Sequence, residues 1–92
     1  MSFITFPLIW TQVVVDKIWR KHGVTPEEVE EAIYDDRPIW HKGTLESYCL
    51  YGQAMSGRYL FIVLRRNDRR TLLKVITARD MEDKEKRYYR KQ

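Results

Sequence analysis

Hydrophobic and polar positions follow two different repeats along the chain. In the first third, apolar residues recur at helical spacing, as in Trp10, Val14 and Ile18, and Gly23 supplies a stop signal. This spacing predicts a first helix from Trp10 to His22. From residue 39 onward, short apolar and aromatic runs separated by turn residues are typical of strands. The pattern therefore predicts helices first, then a sheet.

The second helix has the clearest start signal in the chain. Thr25 is placed as the N-cap, Pro26 follows at the first helical position, and Glu28 completes a capping box. Val24 and Val29 occupy the two positions of a hydrophobic staple. We therefore expect a helix that begins at residue 26.

Four consecutive strands are expected after it, over residues 39–42, 46–55, 58–66 and 70–78. Their connections are the turns at Gly43-Thr44, Ser56-Gly57 and Asn67-Asp68. Asp80 is expected to cap a final helix, and residues 2–7 could add a short edge strand. The predicted fold class is α+β: two N-terminal helices, a four-stranded antiparallel sheet and a C-terminal helix, with the helices on one face.

Composition fits one folded domain spanning residues 1–92. The chain is 43% hydrophobic and 33% charged, and its longest apolar run is too short to span a bilayer. No signal peptide is recognisable at the start. The single cysteine, Cys49, excludes an internal disulfide and is consistent with a reducing cytoplasm.

Charge is distributed unevenly along the chain. Residues 65–92 contain eleven Lys/Arg against five Asp/Glu, a balance of +6, whereas the whole chain carries +4. The remainder is therefore −2. A basic segment at one end favours a polyanionic partner such as a nucleic acid.

No metal-ligand spacing, phosphate-binding loop or nucleophile elbow is present, so no cofactor is expected. RNA cleavage without a metal needs a base, cations that stabilise the phosphorane, and an acid. Arg, Lys, His and Tyr side chains can supply all three. Regular alternation places Lys74 on the face opposite to Val75, Thr77 and Arg79.

Each of these residues also has a structural interpretation. His22 could simply cap the C-terminus of the first helix, and His41 could be an ordinary surface residue. Of Tyr88 and Tyr89, at least one is expected to pack on the sheet, while either could stack on a base.

Several short motifs resemble BrnT-family ribonuclease toxins. The segments that carry this resemblance cover most of the chain, in order: Trp10, Arg20–Val24 followed by Thr25–Glu28, Gly57–Leu60, Ile76–Arg79, and Glu85 with Tyr89. The resemblance implies a RelE-like fold and a metal-independent endoribonuclease of a type II toxin–antitoxin pair. Such a toxin would be neutralised by a cognate antitoxin protein.

The resemblance and the charge pattern together indicate two sets of site residues. The catalytic set is Arg79, Arg65, His22 and Tyr89. The RNA-binding set is Arg58, Arg66, Lys74, Lys86 and Tyr88.

Three positions depart from the family pattern. Thr11, Val14 and Ile18 stand where the family commonly has an acidic residue, a lysine and an asparagine. A non-catalytic domain that binds nucleic acid or a protein partner is therefore the alternative function. A third interpretation is a subunit or homodimer held by an apolar patch around Trp10, Val14 and Trp19.

Overall fold

A computed structural model describes residues 8–35, 37–43, 46–66 and 72–92. Its elements are β1 (Leu8–Ile9), α1 (Gln12–His22), α2 (Pro26–Ile33), β2 (Ile39–Lys42), β3 (Ser47–Gln53), β4 (Tyr59–Arg66), β5 (Leu73–Asp80) and α3 (Asp83–Lys91). The strands form one sheet in the order β1-β5-β4-β3-β2. Strand β1 runs parallel to β5, and the other neighbours are antiparallel.

The predicted α+β class is confirmed, and all four predicted strands are present. The parallel strand β1 is an addition, and the edge strand expected over residues 2–7 falls outside the described residues. The turns expected at residues 44 and 67–68 also fall outside them. None of the described helices has the length and apolar character needed to cross a membrane.

Helix α1 begins two residues later than predicted because its N-cap is Thr11, which follows Trp10. The Thr11 hydroxyl accepts a hydrogen bond from the backbone N–H of Val14 at 3.3 Å. Trp10 lies before the helix and packs, partly buried, against the core. At the other end Gly23 adopts φ +63°, the left-handed conformation that closes a helix and that glycine adopts without strain.

Helix α2 begins as its sequence predicts. The Glu28 N–H donates to the Thr25 hydroxyl at 3.2 Å, and the Thr25 N–H donates to Glu28 Oε1 at 3.0 Å. Val24 and Val29, the predicted staple pair, are both fully buried. The capping box therefore fixes where α2 starts and anchors that end in the core.

The core lies between one face of the sheet and helices α1 and α2. Along β4, the fully buried side chains are Leu60, Ile62 and Leu64, which alternate with partly exposed residues. Helix α1 contributes Val14 and Ile18. The helices contribute apolar stripes at the spacing that their sequences predict, and we call this side of the sheet the core face.

Helix α3 lies on the other side, which we call the outer face. Tyr89 of α3 packs edge-on against Tyr59 of β4, with ring centroids 5.8 Å apart, and Tyr59 alternates with the buried Leu60. The expectation that all helices share one face is therefore wrong. So is the expected Asp80 cap: β5 continues to Asp80, and Glu82 precedes the first turn of α3.

Strand β5 contains one extra residue. Val63 pairs with Thr77 while the next residue of β4, Leu64, pairs with Val75, which leaves Ile76 without an opposite partner. The Ile76 carbonyl accepts a hydrogen bond of 3.0 Å from Lys17 Nζ of α1. A side chain from the helix layer therefore stabilises this bulge.

The bulge changes which side chains share a face. Val75 is fully buried on the core face, whereas Lys74, which pairs with Arg65, faces outward. After the bulge, Thr77 and Arg79 face outward as well. The predicted separation of Lys74 from Thr77 and Arg79 is wrong, because strict alternation does not allow for an inserted residue.

Close packing of α2 on β3 makes Gly52 sensitive to substitution. A Cβ atom at this position would lie 2.7 Å from the Ala32 carbonyl oxygen and 3.1 Å from the Ala32 Cβ. We predict that Gly52→Ala lowers the free energy of unfolding by about 1–3 kcal/mol, because backbone atoms must move apart. Urea denaturation followed by circular dichroism measures this free energy.

Ser56→Ala, in an exposed turn, is the control and should change stability by less than about 0.5 kcal/mol. Equal stability of Gly52→Ala and wild type would contradict the packing.

Candidate nucleic-acid interface

Arg79 is the cation at the centre of the outer face. Its guanidinium lies over the Phe61 ring, with Cζ 4.4 Å from the ring centroid. Nη1 and Nη2 donate to the two carboxylate oxygens of Glu85 at 2.8 and 3.1 Å, and Nη1 also donates to the Asp80 carbonyl at 3.0 Å. The hydrogen bond from Arg79 holds the pKa of Glu85 below its ordinary value. The side chain of Arg79 remains 32% exposed.

This ion pair leaves Arg79 able to bind a second anion. A guanidinium carries five N–H groups, and the bonds to Glu85 and Asp80 use three of them. The Phe61 ring and the bidentate Glu85 contact hold the guanidinium plane in one orientation. Arg79 is therefore a positioned cation with donors to spare.

An aromatic cluster continues from Phe61 towards β2. Tyr51 lies 5.2 Å from Phe61, 5.3 Å from Tyr88 of α3 and 5.7 Å from His41 of β2, measured between ring centroids. The Tyr88 hydroxyl and His41 Nε2 are 2.6 Å apart and share a hydrogen bond. Burial, followed by the nearby Glu85 charge, raises the pKa of Tyr51. The cluster links the end of α3 to the sheet.

Beside this cluster lies a less covered part of the outer face. The register aligns Cys49, Val63 and Thr77 in one row across β3, β4 and β5. The next row contains Arg65 and Lys74, which pair with each other and are both exposed. We call these five residues, together with Arg79, the outer-face strip.

The strip has cations along both sides. Arg65 and Phe61 are separated by four residues along β4, about 13 Å, and the Arg79 guanidinium lies over Phe61. That width suits a single nucleic-acid strand, whose phosphates would approach the cations while a base reaches the aromatic cluster.

Arg58 has a different environment from the other predicted cations. Its Nε and Nη2 atoms donate to the Asp80 carboxylate at 2.6 and 2.9 Å, and Nη1 lies 3.3 Å from both Glu28 oxygens. It also donates to the backbone carbonyls of His22 and Gly23, each at 2.8 Å. Arg58 thus ties the end of α1, the start of α2 and the end of β5 together. The hydrogen bond from Arg58 lowers the pKa of Asp80.

His22 and Tyr89 have structural contacts. His22 ends α1, in the helix layer that covers the core face, and its carbonyl is held by Arg58. Tyr89 is only 5% exposed, and burial raises the pKa of its hydroxyl. The contacts that the structure describes for His22 and Tyr89 are therefore structural, and none of them is made with Arg79 or Arg65, the other two predicted catalytic residues.

The remaining predicted RNA-binding residues are divided between the two faces. Arg66 alternates with Arg65 and stacks on Tyr48 of the core face, with Cζ 5.2 Å from the ring centroid. Lys86 of α3 is close enough to Asp80 to lower the pKa of that carboxyl. Lys74 and Tyr88 lie on the outer face, the same side of the sheet as Arg79.

Three residues of the outer face were not predicted as site residues: His41, Tyr51 and Phe61. Alternation along β2 and β3, once the hairpin register is known, places His41 opposite Cys49 and Tyr51 opposite Phe61. The contact between His41 and Tyr88 joins residues 47 positions apart and depends on where α3 docks. No local sequence pattern carries that information.

The expected apolar patch on α1 does not form as predicted. Val14 is 8% exposed and belongs to the core, and Trp10 packs against the core, so only Trp19 of that trio is well exposed, at 60%. Val13 is exposed as well. The apolar character of α1 is explained mainly by the core that it covers.

The acidic residues gather elsewhere on the molecule. Glu27, Glu30, Glu31 and Asp35 line an open concavity beside Met55 and Tyr34. Helix α2, which carries most of these carboxylates, packs on the core face. The acidic side chains of α2 thus lie on the other side of the core from the cations of the outer-face strip. Within the described ranges, no three His, Cys, Asp or Glu side chains are arranged to hold a metal ion.

These features define an α+β fold in which two helices cover the core face of an antiparallel sheet and a third helix rests on a cationic outer face. The same fold is found in the 1.1 Å crystal structure of the Brucella abortus ribonuclease toxin BrnT. The two chains align with a TM-score of 0.68 at 15% identity, over 86% of this chain and 100% of that one. No protein-family model and no curated protein matches the sequence. The predicted BrnT-like fold is thus confirmed.

The ion pairs of Asp80 and Glu85 predict how stability depends on pH. Both carboxyls have a lower pKa when folded than when unfolded, so their pairs stabilise the fold above pH ~4 and lose that effect as pH falls through the folded-state pKa. We predict that Arg58→Met flattens the acid loss of unfolding free energy, by less than about 1 kcal/mol because Asp80 is more than half exposed.

Urea unfolding at a series of pH values from roughly 2 to 7, the range in which carboxyl groups titrate, measures this pH dependence of the free energy of unfolding. Lys17→Met is the control, because Lys17 Nζ donates to the backbone carbonyl of Ile76 rather than to a carboxylate. An Arg58→Met curve parallel to the wild-type curve would show that the Asp80 pair does not respond to acid as described.

Proposed function

We propose that the protein is an RNA-cleaving toxin of a type II toxin–antitoxin pair that acts in the cytoplasm. The observation that carries the proposal is the outer-face strip: Arg79, Arg65 and Lys74 surround a shallow row of small and apolar side chains beside an aromatic cluster. The fold shared with a ribonuclease toxin supports the same conclusion.

On this proposal, Arg79 binds the phosphate at the reacting centre. Two N–H groups remain for phosphate oxygens, and the Phe61 ring beneath the guanidinium limits its rotation. Glu85 keeps Arg79 oriented in the absence of RNA. When RNA binds, phosphate oxygens can replace one or both carboxylate oxygens of Glu85 as acceptors for Arg79. Arg65 and Lys74 hold the strand on the other side, and Tyr88 offers a ring to a base.

The departures from the BrnT pattern do not remove groups from this surface. Val14 and Ile18 face the core, with exposures of 8% and 0%, and Thr11 caps α1. Apolar residues at these positions add to the core between α1 and the sheet. The strip lies on the opposite side of the sheet and keeps its cations.

The charge separation also supports inhibition by a protein antitoxin. A partner that covers the strip must place acidic groups against Arg65, Lys74 and Arg79 and apolar groups against Val63 and the aromatic cluster. Such a partner would exclude RNA directly.

Expression in cells that lack an antitoxin tests the proposed activity. Wild-type protein is predicted to arrest growth and degrade RNA, and Arg79→Ala is predicted to remove the effect, with at least ~10²-fold lower cleavage in vitro. Arg79→Lys keeps the charge but loses the bidentate fork, so we expect activity between the two. Circular dichroism of each purified variant verifies folding. Well-expressed, folded wild-type protein that is harmless and binds RNA without cleaving it would instead favour a non-catalytic RNA-binding domain.

Salt dependence tests whether the strip is the RNA-binding surface. The logarithm of the association constant for a non-cleavable 2′-O-methyl RNA should fall linearly with the logarithm of the salt concentration. Arg65→Ala is predicted to make that slope shallower by about 0.7, because one phosphate contact is lost. Fluorescence anisotropy provides the measurement. Lys21→Ala removes one positive charge from the exposed surface of α1 and should leave the slope unchanged. Equal slopes for Arg65→Ala and wild type would place the RNA elsewhere.

A further inference from the structure

We propose that His41 is the group that accepts the proton from the RNA 2′-hydroxyl, and that Tyr88 is the residue that positions it. This inference rests on the proposed ribonuclease function and names the proton-transfer residue that the function requires. Of the two histidines, His22 ends the helix layer over the core face, whereas His41 lies on the outer face with the cations.

The location of His41 makes it accessible to a strand bound on the strip. His41 pairs with Cys49, whose row continues through Val63 to Thr77, so its side chain stands at one end of the floor of the strip. The residue is exposed. Arg65 lies two strands away on the same face, so one RNA strand crossing the floor passes both residues.

The contact with Tyr88 gives His41 a defined orientation. The 2.6 Å hydrogen bond joins the hydroxyl to Nε2, and the rings of Tyr51 and Tyr88 pack against the imidazole at 5.7 and 5.6 Å between centroids. No described residue makes a hydrogen bond to Nδ1. When Nε2–H donates to the Tyr88 oxygen, the lone pair of Nδ1 points away from that bond and is available as a base.

The chemical step balances without a further reactant. The 2′-hydroxyl proton moves to Nδ1 as the 2′-oxygen attacks the adjacent phosphorus, and the bond from phosphorus to the 5′-oxygen breaks. The leaving 5′-oxygen takes a proton from water, and the imidazolium later returns its proton to solvent. The products are a 2′,3′-cyclic phosphate and a 5′-hydroxyl end.

Tyr51 and Tyr88 surround the imidazole from β3 and α3, and Cys49 lies opposite it on β3. These are the titratable groups that the described neighbours direct at His41. Within the part of the chain that the structure describes, no carboxylate forms an ion pair with His41. The nearby hydroxyl therefore orients the ring without supplying a competing charge.

The test uses the purified full chain and a short synthetic RNA that contains a cleavage site mapped with the wild type. His41→Ala is expected to lower kcat about 10²- to 10⁴-fold, and added imidazole should restore part of the rate. His41→Asn keeps a hydrogen-bonding group for Tyr88 and should be equally slow. Tyr88→Phe keeps the ring packing and should lower kcat on the order of 10-fold with little change in KM. Lys42→Ala, the exposed neighbour on β2, is the control and should match the wild type.

The outcomes separate this inference from the proposed function. Cleavage by wild type with unchanged kcat in His41→Ala would overturn the role of His41 and leave the ribonuclease function standing. Loss of activity that imidazole does not restore, in variants that fold normally, would also overturn proton transfer. A folded wild type that cleaves no RNA would overturn both.

Discussion

The extra residue in β5 is the constraint on which the outer face depends. Because Ile76 interrupts the alternation, the chain can place Val75 and Ala78 in the core and still present Lys74, Thr77 and Arg79 outward. A regular strand would send either Lys74 or Arg79 towards the helices, where a charge without a partner is costly. Lys17 holds the free carbonyl of the bulge, so the helix layer takes part in defining the opposite surface. The cationic strip is thus a consequence of backbone geometry as much as of composition.

Helix α3 turns this surface into a site with distinct parts. Glu85 orients Arg79, Tyr88 orients His41, and Tyr89 is the buried anchor that keeps the helix in place. Three side chains of one short helix therefore connect it to β5, β2 and β4. Arg58 acts on the other side of the sheet end, where it ties α1 and α2 to Asp80. The sequence around Arg58 does not distinguish this structural cation from Arg65 and Arg79, the proposed catalytic cations, but their surroundings in the structure do.

Local signals in the sequence predicted much of this architecture. The capping box of Thr25 and Glu28 and the bounds of β2 follow from local sequence signals, and the structure has both of them. The motif that ends at Arg79 predicts a site residue there, and the proposed function assigns Arg79 to the phosphate. The bulge, the side on which α3 docks and the His41–Tyr88 contact depend on long-range pairing. Among the cations, Arg58 and Arg65 could not be told apart by charge alone, since only burial and partners separate a clamp from a binding residue.

On the proposed function, RNA binds the outer face of the sheet between Arg79 and Arg65. Nuclear magnetic resonance of the isotopically labelled protein, titrated with a 2′-O-methyl RNA that cannot be cleaved, locates the binding surface directly. RNA bound there is predicted to shift the backbone amides of Cys49, Val63, Thr77, Arg79 and α3 more than those of the rest of the protein. Shifts confined to α1 and α2, or to the acidic concavity around Met55, would contradict it.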